Sequence, residues 1–311
     1  MTISSASQPL ETATAPLACP ICGECAWGPA WPPTCLRPCR RCGAVLNDRS
    51  RSRREEEALY TAHPAAPPAD QEAISRARWR WVRARFPATD LRPVRVLDVG
   101  CGYGGFLAAV VAEQTERWGS PPRVAGIELD PAAAAECRRL GLPVIAGSLF
   151  DIGVPAGPWD VITLWDVLDH MEDPRAALQM LAATLAPGGL IVIRARNAAL
   201  HVPLKVFYKR HAPLARRLGI PDLGCVHRWG FTPSHYRRML AEVGLEAVRA
   251  HPGVPSPGDR DRVLRHRALV LALKAVAGAV GGALHRISLG RAYPYLTVLI
   301  TGRRPVPSLE D

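Results

Sequence analysis

Aromatic side chains are scarce in this 311-residue chain: 5 Phe, 6 Tyr and 8 Trp make up 6% of it. Basic runs interleaved with aromatics, the platform on which single-stranded bases stack, are correspondingly few. A long apolar run is also missing. The longest, Ala268 to Leu284, spans 17 residues and holds Lys274, short of the ~20 that a membrane-spanning helix needs. The first 16 residues lack a basic start followed by an apolar stretch, so no secretory leader is expected there. They read as a disordered tail, and the cytoplasm is the expected compartment. Acids run short in one region only. Residues 201–311 carry 18 Lys and Arg against 7 Asp and Glu, so the net charge of +11 is concentrated in the last third. Such a surface meets anionic partners or is simply a solvated face.

Cysteine is unevenly spread. Six of the nine lie before residue 43. Cys19-Pro-Ile-Cys22-Gly and Cys39-Arg-Arg-Cys42-Gly make two C-x-x-C turns 16 residues apart. Four thiolates at that spacing can close a tetrahedral shell around Zn2+. The competing readings are a disulfide framework, which a reducing compartment disfavours, and a knuckle without metal. Cys25 and Cys35 blur the set, but only the chosen pairs both carry a trailing glycine. Residues 17–46 are therefore read as a ribbon-like module and 47–69, charged and then Pro/Ala-rich, as a linker. A helix is expected over 70–86, with Ile74, Ala77, Trp81 and Val82 on one face.

From Val94 the pattern alternates. Apolar strands are expected at 94–99, 123–129, 143–147, 159–165 and 190–196, with helices between them, including 106–118, 132–141 and 174–189. A strand after residue 242 and another at 294–301 complete seven. The implied architecture is α/β, a doubly wound, mostly parallel sheet in a domain spanning 70–311. Ligands of such sheets sit beyond the carboxyl ends of the strands.

The first strand runs into Asp98-Val-Gly100-Cys-Gly102-Tyr-Gly104-Gly105. The glycines also satisfy the dinucleotide pattern, a weak signal by itself. Asp98, two residues before the first glycine, would crowd a pyrophosphate but suits a cationic amino-acid ligand such as S-adenosylmethionine. Glu128 closes the second strand, where an acid accepts ribose hydroxyls in several nucleotide folds.

The segments VLDVGCGYGGFL, GIELDP, WDVITLWDVLDHMEDP, LAPGGLIVIRARN and GFTPSHYRRMLAEVGLEAV resemble successive motifs of class I S-adenosylmethionine-dependent methyltransferases, in order, across about 94–250. The subgroup most similar includes the ubiquinone-biosynthesis O-methyltransferases. The resemblance implies cofactor roles for Asp98, Gly100, Gly102 and Gly104, and a ribose contact for Glu128. It places Ser148 and Leu149 near adenine, where many members have an acid instead, and Trp165 at the cofactor's border.

Asp166, Asp169 and His170 stand at i, i+3 and i+4, so a helix starting at Asp166 would put them on one face. The similar family pattern E-x-x-E-H is associated with a divalent cation. Here Mg2+ would orient an acidic acceptor. Without metal, His170 would act as general base, and helix capping by Asp166 is the bland alternative. Two short aspartates reach a shared ion less easily than two glutamates, which favours the metal-free version. In the resembling subgroup a histidine before the Phe-Thr-Pro turn faces the substrate space, which implies acceptor contact or a role as base for His227, with Thr232 capping the helix that Pro233 begins.

Two insertions, at about 198–230 and 254–290, are read as lids. The second carries Leu269, Leu273, Val276, Val280 and Leu284 at helical spacing behind several arginines. Residues 260–290 thus offer a place for peripheral membrane contact. The favoured function is methyl transfer to a small-molecule acceptor, most simply at oxygen. Two alternatives stay open: RNA methylation through the ribbon and the basic last third, and non-catalytic binding of S-adenosylmethionine.

Overall fold

In the computed structural model the residues described are 17–49, 55, 71–86, 92–217, 228–253 and 293–307. The expected strand at 94–99 forms β3 (Val96–Val99), buried along its whole length. Such continuous burial marks a strand with helices on both faces. β4 (Val124–Glu128) and β5 (Val144–Ala146) lie to one side of it, and β6 (Trp159–Trp165) and β7 (Leu185–Arg196) to the other. All four neighbouring pairs among these strands are parallel. β9 (Glu246–Pro252) and β10 (Thr297–Arg303) finish the sheet in the order β5-β4-β3-β6-β7-β10-β9. β10 runs antiparallel to both β7 and β9. The doubly wound seven-stranded sheet is thus present, and its strand order reverses between β3 and β6.

Side chains divide by the period of two that a strand imposes. Leu97, Val99, Ile162, Leu164, Ile191 and Ile193 join one apolar layer with Leu178, Tyr236 and Met239. Val96, Val161, Leu190 and Val192 join the other, with Trp79, Phe106 and Val110. The helices of the two layers are α1 (Gln71–Arg83), α2 (Gly105–Trp118), α3 (Pro131–Arg139), α4 (Leu149–Ile152), α5 (Pro174–Thr184) and α8 (Pro233–Glu242). α1 was expected to bury Ile74, Ala77, Trp81 and Val82. Of these it buries Val82, together with Ser75 and Trp79, because Trp79 packs edge-on against Phe106 of α2. α5 ends at Thr184, earlier than expected, since Leu185 already pairs with Trp159 and Pro187-Gly188-Gly189 interrupts the register of β7. Thr232 caps α8 as expected, and His235 closes the capping box.

Residues 198–217 form α6 (Ala198–Arg210) and α7 (Ala212–Arg217). α6 packs Ala198 and Val202 against Leu36 and Val45 of the ribbon. This described part of the expected first lid therefore backs the ribbon. Residues 218–227, the insert at 254–292 and most of the linker lie outside the described residues.

The ribbon is a hairpin of β1 (Leu36–Pro38) and β2 (Val45–Asn47). Two residues of the α/β domain, β8 (Trp229–Gly230), add a third strand against β2. The ribbon reads in sequence as a module joined only by a linker. In the fold it shares a sheet and an apolar core with the rest of the chain.

Candidate active site

A cavity of about 490 Å3 opens at the carboxyl ends of β3, β4 and β6, where the strand order reverses. That size suits a cofactor-scale ligand. Asp98, Gly100, Gly102, Glu128, Ser148, Leu149, Trp165, Asp166 and His170 all line it. Gly104 does not, and His227 lies outside the described residues.

The Gly102 backbone is left-handed, with φ 55°, and a Cβ there would meet nothing within 4 Å. The missing side chain leaves open space on the cavity side. Gly100, φ 70°, is a glycine for another reason. A Cβ would collide with Val167, so its absence lets the loop after β6 close against the loop after β3. Gly104 caps α2, and a Cβ there would strike Leu142 and Cys137. Packing accounts for that glycine.

Asp98 is buried at 1% exposure. Burial pushes its carboxyl up to about 7; the Thr163 hydroxyl, donating across 2.6 Å, and the Arg78 charge hold it from rising further. The Glu128 carboxyl accepts the amides of Gly102 at 2.6 Å and Asp130 at 2.9 Å. Burial still raises its pKa. Ser148 caps α4, its Oγ accepting the Phe150 amide at 3.3 Å.

Trp165 forms a wall between Phe106, 5.2 Å away, and the guanidinium of Arg78, 4.7 Å over its ring. Arg78 comes from α1, as do Gln71, Ile74 and Ser75 in the lining. Reading from the sequence missed this helix as a cavity cover, because its arginines look like a solvated face. The available signal was that Ile74 and Arg78 stand four residues apart, off the Trp79–Val82 stripe.

Asp166 departs from its expectation. It adopts φ 61° and starts no helix. Residues 168–170 form one turn, closed by the His170 amide on the Val167 carbonyl at 3.0 Å, and 171–172 are bends, so Asp166, Asp169 and His170 do not share a helical face. The Asp166 carboxylate is held by Arg194, with Arg78 3.9 Å away. Asp169 is buried, and its carbonyl accepts the amides of Arg228 and Trp229. Only Asp166 and His170 of the three face the cavity. Arginines beside Asp166 and the burial of Asp169 keep apart the two acids that the spacing was expected to pair. Among the described residues the one cluster spaced to hold a metal is Cys19, Cys22, Cys39 and Cys42.

The motifs of the first loop, the acid ending β4 and this sheet order converge on one family. The methyltransferase-domain family model matches residues 71–250. The chain belongs to the class I S-adenosylmethionine-dependent methyltransferases. The ubiquinone biosynthesis O-methyltransferase of Thiobacillus denitrificans is 30% identical over 183 residues, 56% of this chain and 72% of that protein. The Xylella fastidiosa protein of the same name is 31% identical over 146 residues, 44% of this chain and 54% of its own length. An uncharacterized Synechococcus protein is 30% identical over 154 residues, 35% of its length. The methyltransferase thus spans only part of the curated relatives it matches. Among solved structures, an S-adenosylmethionine-dependent methyltransferase from Mesorhizobium loti aligns at 19% identity and TM-score 0.47, covering 73% of this chain and 98% of that one.

The ligand atoms of the four ribbon cysteines lie within 4.8 Å of one another, with Cys19–Cys42 and Cys22–Cys39 sulfur pairs at 3.5 Å. Zn–S bonds of about 2.3 Å in a tetrahedron put sulfurs about 3.8 Å apart, so the set fits that geometry. Cys25 and Cys35 stand outside the cluster. Burial pushes the Cys19 thiol up to about 11 and Cys42 higher still. Burial also acts against the Cys39 thiolate, but the amides of Cys42 and Arg41 outweigh it and bring that thiol to about 7. Among the described residues of the methyltransferase, no helix is long and apolar enough to cross a membrane.

Proposed function

We propose that this chain transfers a methyl group from S-adenosylmethionine to a small-molecule acceptor, most simply at an oxygen atom. The observation that carries the reading is the pairing of two walls in one cavity. On one, buried Asp98 and Glu128 flank the open side of Gly102. On the other, His170 and Asp166 stand on the loop after β6.

The residues present fit the cofactor. Asp98 would take its ammonium group, Glu128 its ribose hydroxyls, Ser148 and Leu149 its adenine, and the Arg78 guanidinium its carboxylate. The bound cofactor supplies an electrophilic methyl on a sulfonium. The protein's share is alignment of donor and acceptor and removal of the acceptor's proton. His170, which lines the cavity, would take that proton, and His227 is the second candidate. Zn2+ on the four ribbon thiolates completes the reading, and a reducing cytoplasm keeps those thiols available.

Calorimetry with S-adenosylhomocysteine and with NAD tests the cofactor assignment. We expect one site for the former and none for NAD. Asp98→Ala should weaken binding by about 1.5–3 kcal/mol, the scale of a hydrogen bond to a charged group. Binding of NAD, or unchanged affinity in the variant, would move the cofactor elsewhere. Isotopic methyl transfer to a panel of phenols and enols then identifies the acceptor class.

A further inference from the structure

We infer that Trp229 is a positioning residue that couples the cysteine ribbon to the acceptor wall of the cavity. The state of the ribbon would thereby set the geometry of the loop at 166–172. The inference rests on the assignment of that loop to the acceptor side.

The path is continuous and short. Leu46 of β2 stands opposite Trp229 of β8, and Val45 opposite Gly230. The Asn47 amide donates to the Arg228 carbonyl at 2.9 Å. Trp229 is 1% exposed, with its ring tilted against Trp27 of the ribbon at 6.1 Å and stacked on Phe231 at 6.0 Å. From there it holds the loop twice. Its amide donates to the Asp169 carbonyl at 2.9 Å, and its indole Nε1 to the Met171 carbonyl at 2.9 Å. Those two carbonyls flank His170. A loop with one turn and no helix ladder depends on such outside donors for its shape.

Two further ties fix the ribbon's position at its knuckles. Arg175, at the start of α5, donates to the carbonyls of Pro20 and Ile21, each at 3.2 Å. The His235 ring Nε2 lies 2.9 Å from the Cys42 carbonyl. Both knuckles are therefore anchored to the two helices that follow the loop and β8. A ribbon of this size has too little core to hold its own shape. Its four sulfurs have to be gathered, by a metal on the present reading, for β2 to present a regular edge to Trp229. The cofactor wall is built differently. Asp98 and Glu128 rest on β3 and β4, and α1 covers them. Ribbon damage should therefore reach the acceptor wall first.

Hydrogen-exchange mass spectrometry on the full chain tests this, with S-adenosylhomocysteine affinity measured alongside. The ribbon is disrupted in two ways, by chelation and by Cys39→Ser, so that the outcome does not depend on metal content. We expect amides of 166–172 and 228–231 to exchange at least about tenfold faster. Amides of 96–102 should stay within about twofold, and the S-adenosylhomocysteine Kd within about threefold. A third protein, Trp229→Phe, keeps a ring but loses the Nε1 donor. It should retain the ribbon's protection at 36–47 yet exchange faster at 170–173. Disruption of 36–47 with unchanged protection at 166–172 would overturn the coupling, as would equal loss across 96–102. Wild-type exchange in Trp229→Phe would remove Trp229 from it. Loss of S-adenosylhomocysteine binding by the undisrupted protein would overturn the cofactor reading and leave the exchange comparison intact.

Discussion

Thr163 donates its hydroxyl to the Asp98 carboxyl across 2.6 Å, between neighbouring strands β6 and β3. The bond partly offsets a burial that pushes the carboxyl up to about 7. Asp98 therefore changes charge close to neutrality in the ligand-free protein.

That placement gives binding a pH dependence of definite sign. A cationic ligand group needs the carboxylate, which is protonated below about pH 7. Affinity for S-adenosylhomocysteine should fall toward tenfold per unit as pH drops from 7 to 5.5. Asp98→Asn should bind weakly with that dependence removed. The stability of the ligand-free protein should move the other way. A raised folded pKa means that the native state holds the proton more tightly, so this group's contribution is lost as pH rises from about 4 to 7. Calorimetry and thermal melts across that range check both slopes. A flat binding profile for the wild type would show that Asp98 does not carry the ammonium contact.

Gly102 and Gly104 should separate binding from packing. Gly102→Val puts a side chain into open cavity space from a left-handed backbone. It should abolish S-adenosylhomocysteine binding while costing about 1–3 kcal/mol of stability, the range for a strained backbone position. Gly104→Ala directs its methyl at Leu142 and Cys137. It should lower the melting temperature more than the affinity. A Gly102→Val protein with normal affinity would contradict the placement of the ligand.

Arg78 was not singled out from the sequence, yet it lines the cavity with its Nε buried and unpaired. Arg78→Met preserves length and removes the charge. S-adenosylhomocysteine affinity should fall by about 1.5–3 kcal/mol, and Arg78→Lys should recover only part of it, because an ammonium lacks the guanidinium fork. Equal affinity for all three proteins would assign Arg78 to Trp165 and Asp166 alone.

His170 and Asp166 should have different phenotypes. With an accepted substrate, His170→Ala should slow turnover by roughly 10²–10⁴, the span for loss of a general base. Adding or omitting Mg2+ should change nothing. Asp166→Asn should instead show itself in stability, by about 1 kcal/mol, because it weakens a part-exposed ion pair with Arg194 and Arg78. Full turnover in His170→Ala would pass the role of base to His227.

Much of the sheet is legible from the sequence because central parallel strands read as unbroken apolar runs between glycine turns. Asp98, Gly102 and Glu128 are legible for the same reason: Glu128 ends β4, and Asp98 and Gly102 flank the end of β3, strands whose limits are sharp. The loop after β6 is not. Spacing of i, i+3 and i+4 has meaning only on a helix, and the backbone of Asp166 turns left-handed where that helix would begin. The role of α1 is hidden by its four arginines, since a sequence does not reveal that one of them turns inward over Trp165. The four ribbon cysteines are legible from spacing alone. Their docking is not, because a two-residue strand such as Trp229–Gly230 leaves no periodicity to read.

The order of the sheet also bears on how the chain acquires it. β10 is the last described strand along the chain, at 297–303, but lies in the sheet's interior between β7 and β9. During synthesis, β7 must wait for some hundred further residues to emerge before its free edge is closed. That edge is apolar, with Leu190, Val192 and Ile193 buried in the finished fold. The nascent chain thus carries an unpaired hydrophobic strand for seconds of translation. Premature termination ahead of Thr297 should yield aggregates, whatever the state of the cavity or of the ribbon.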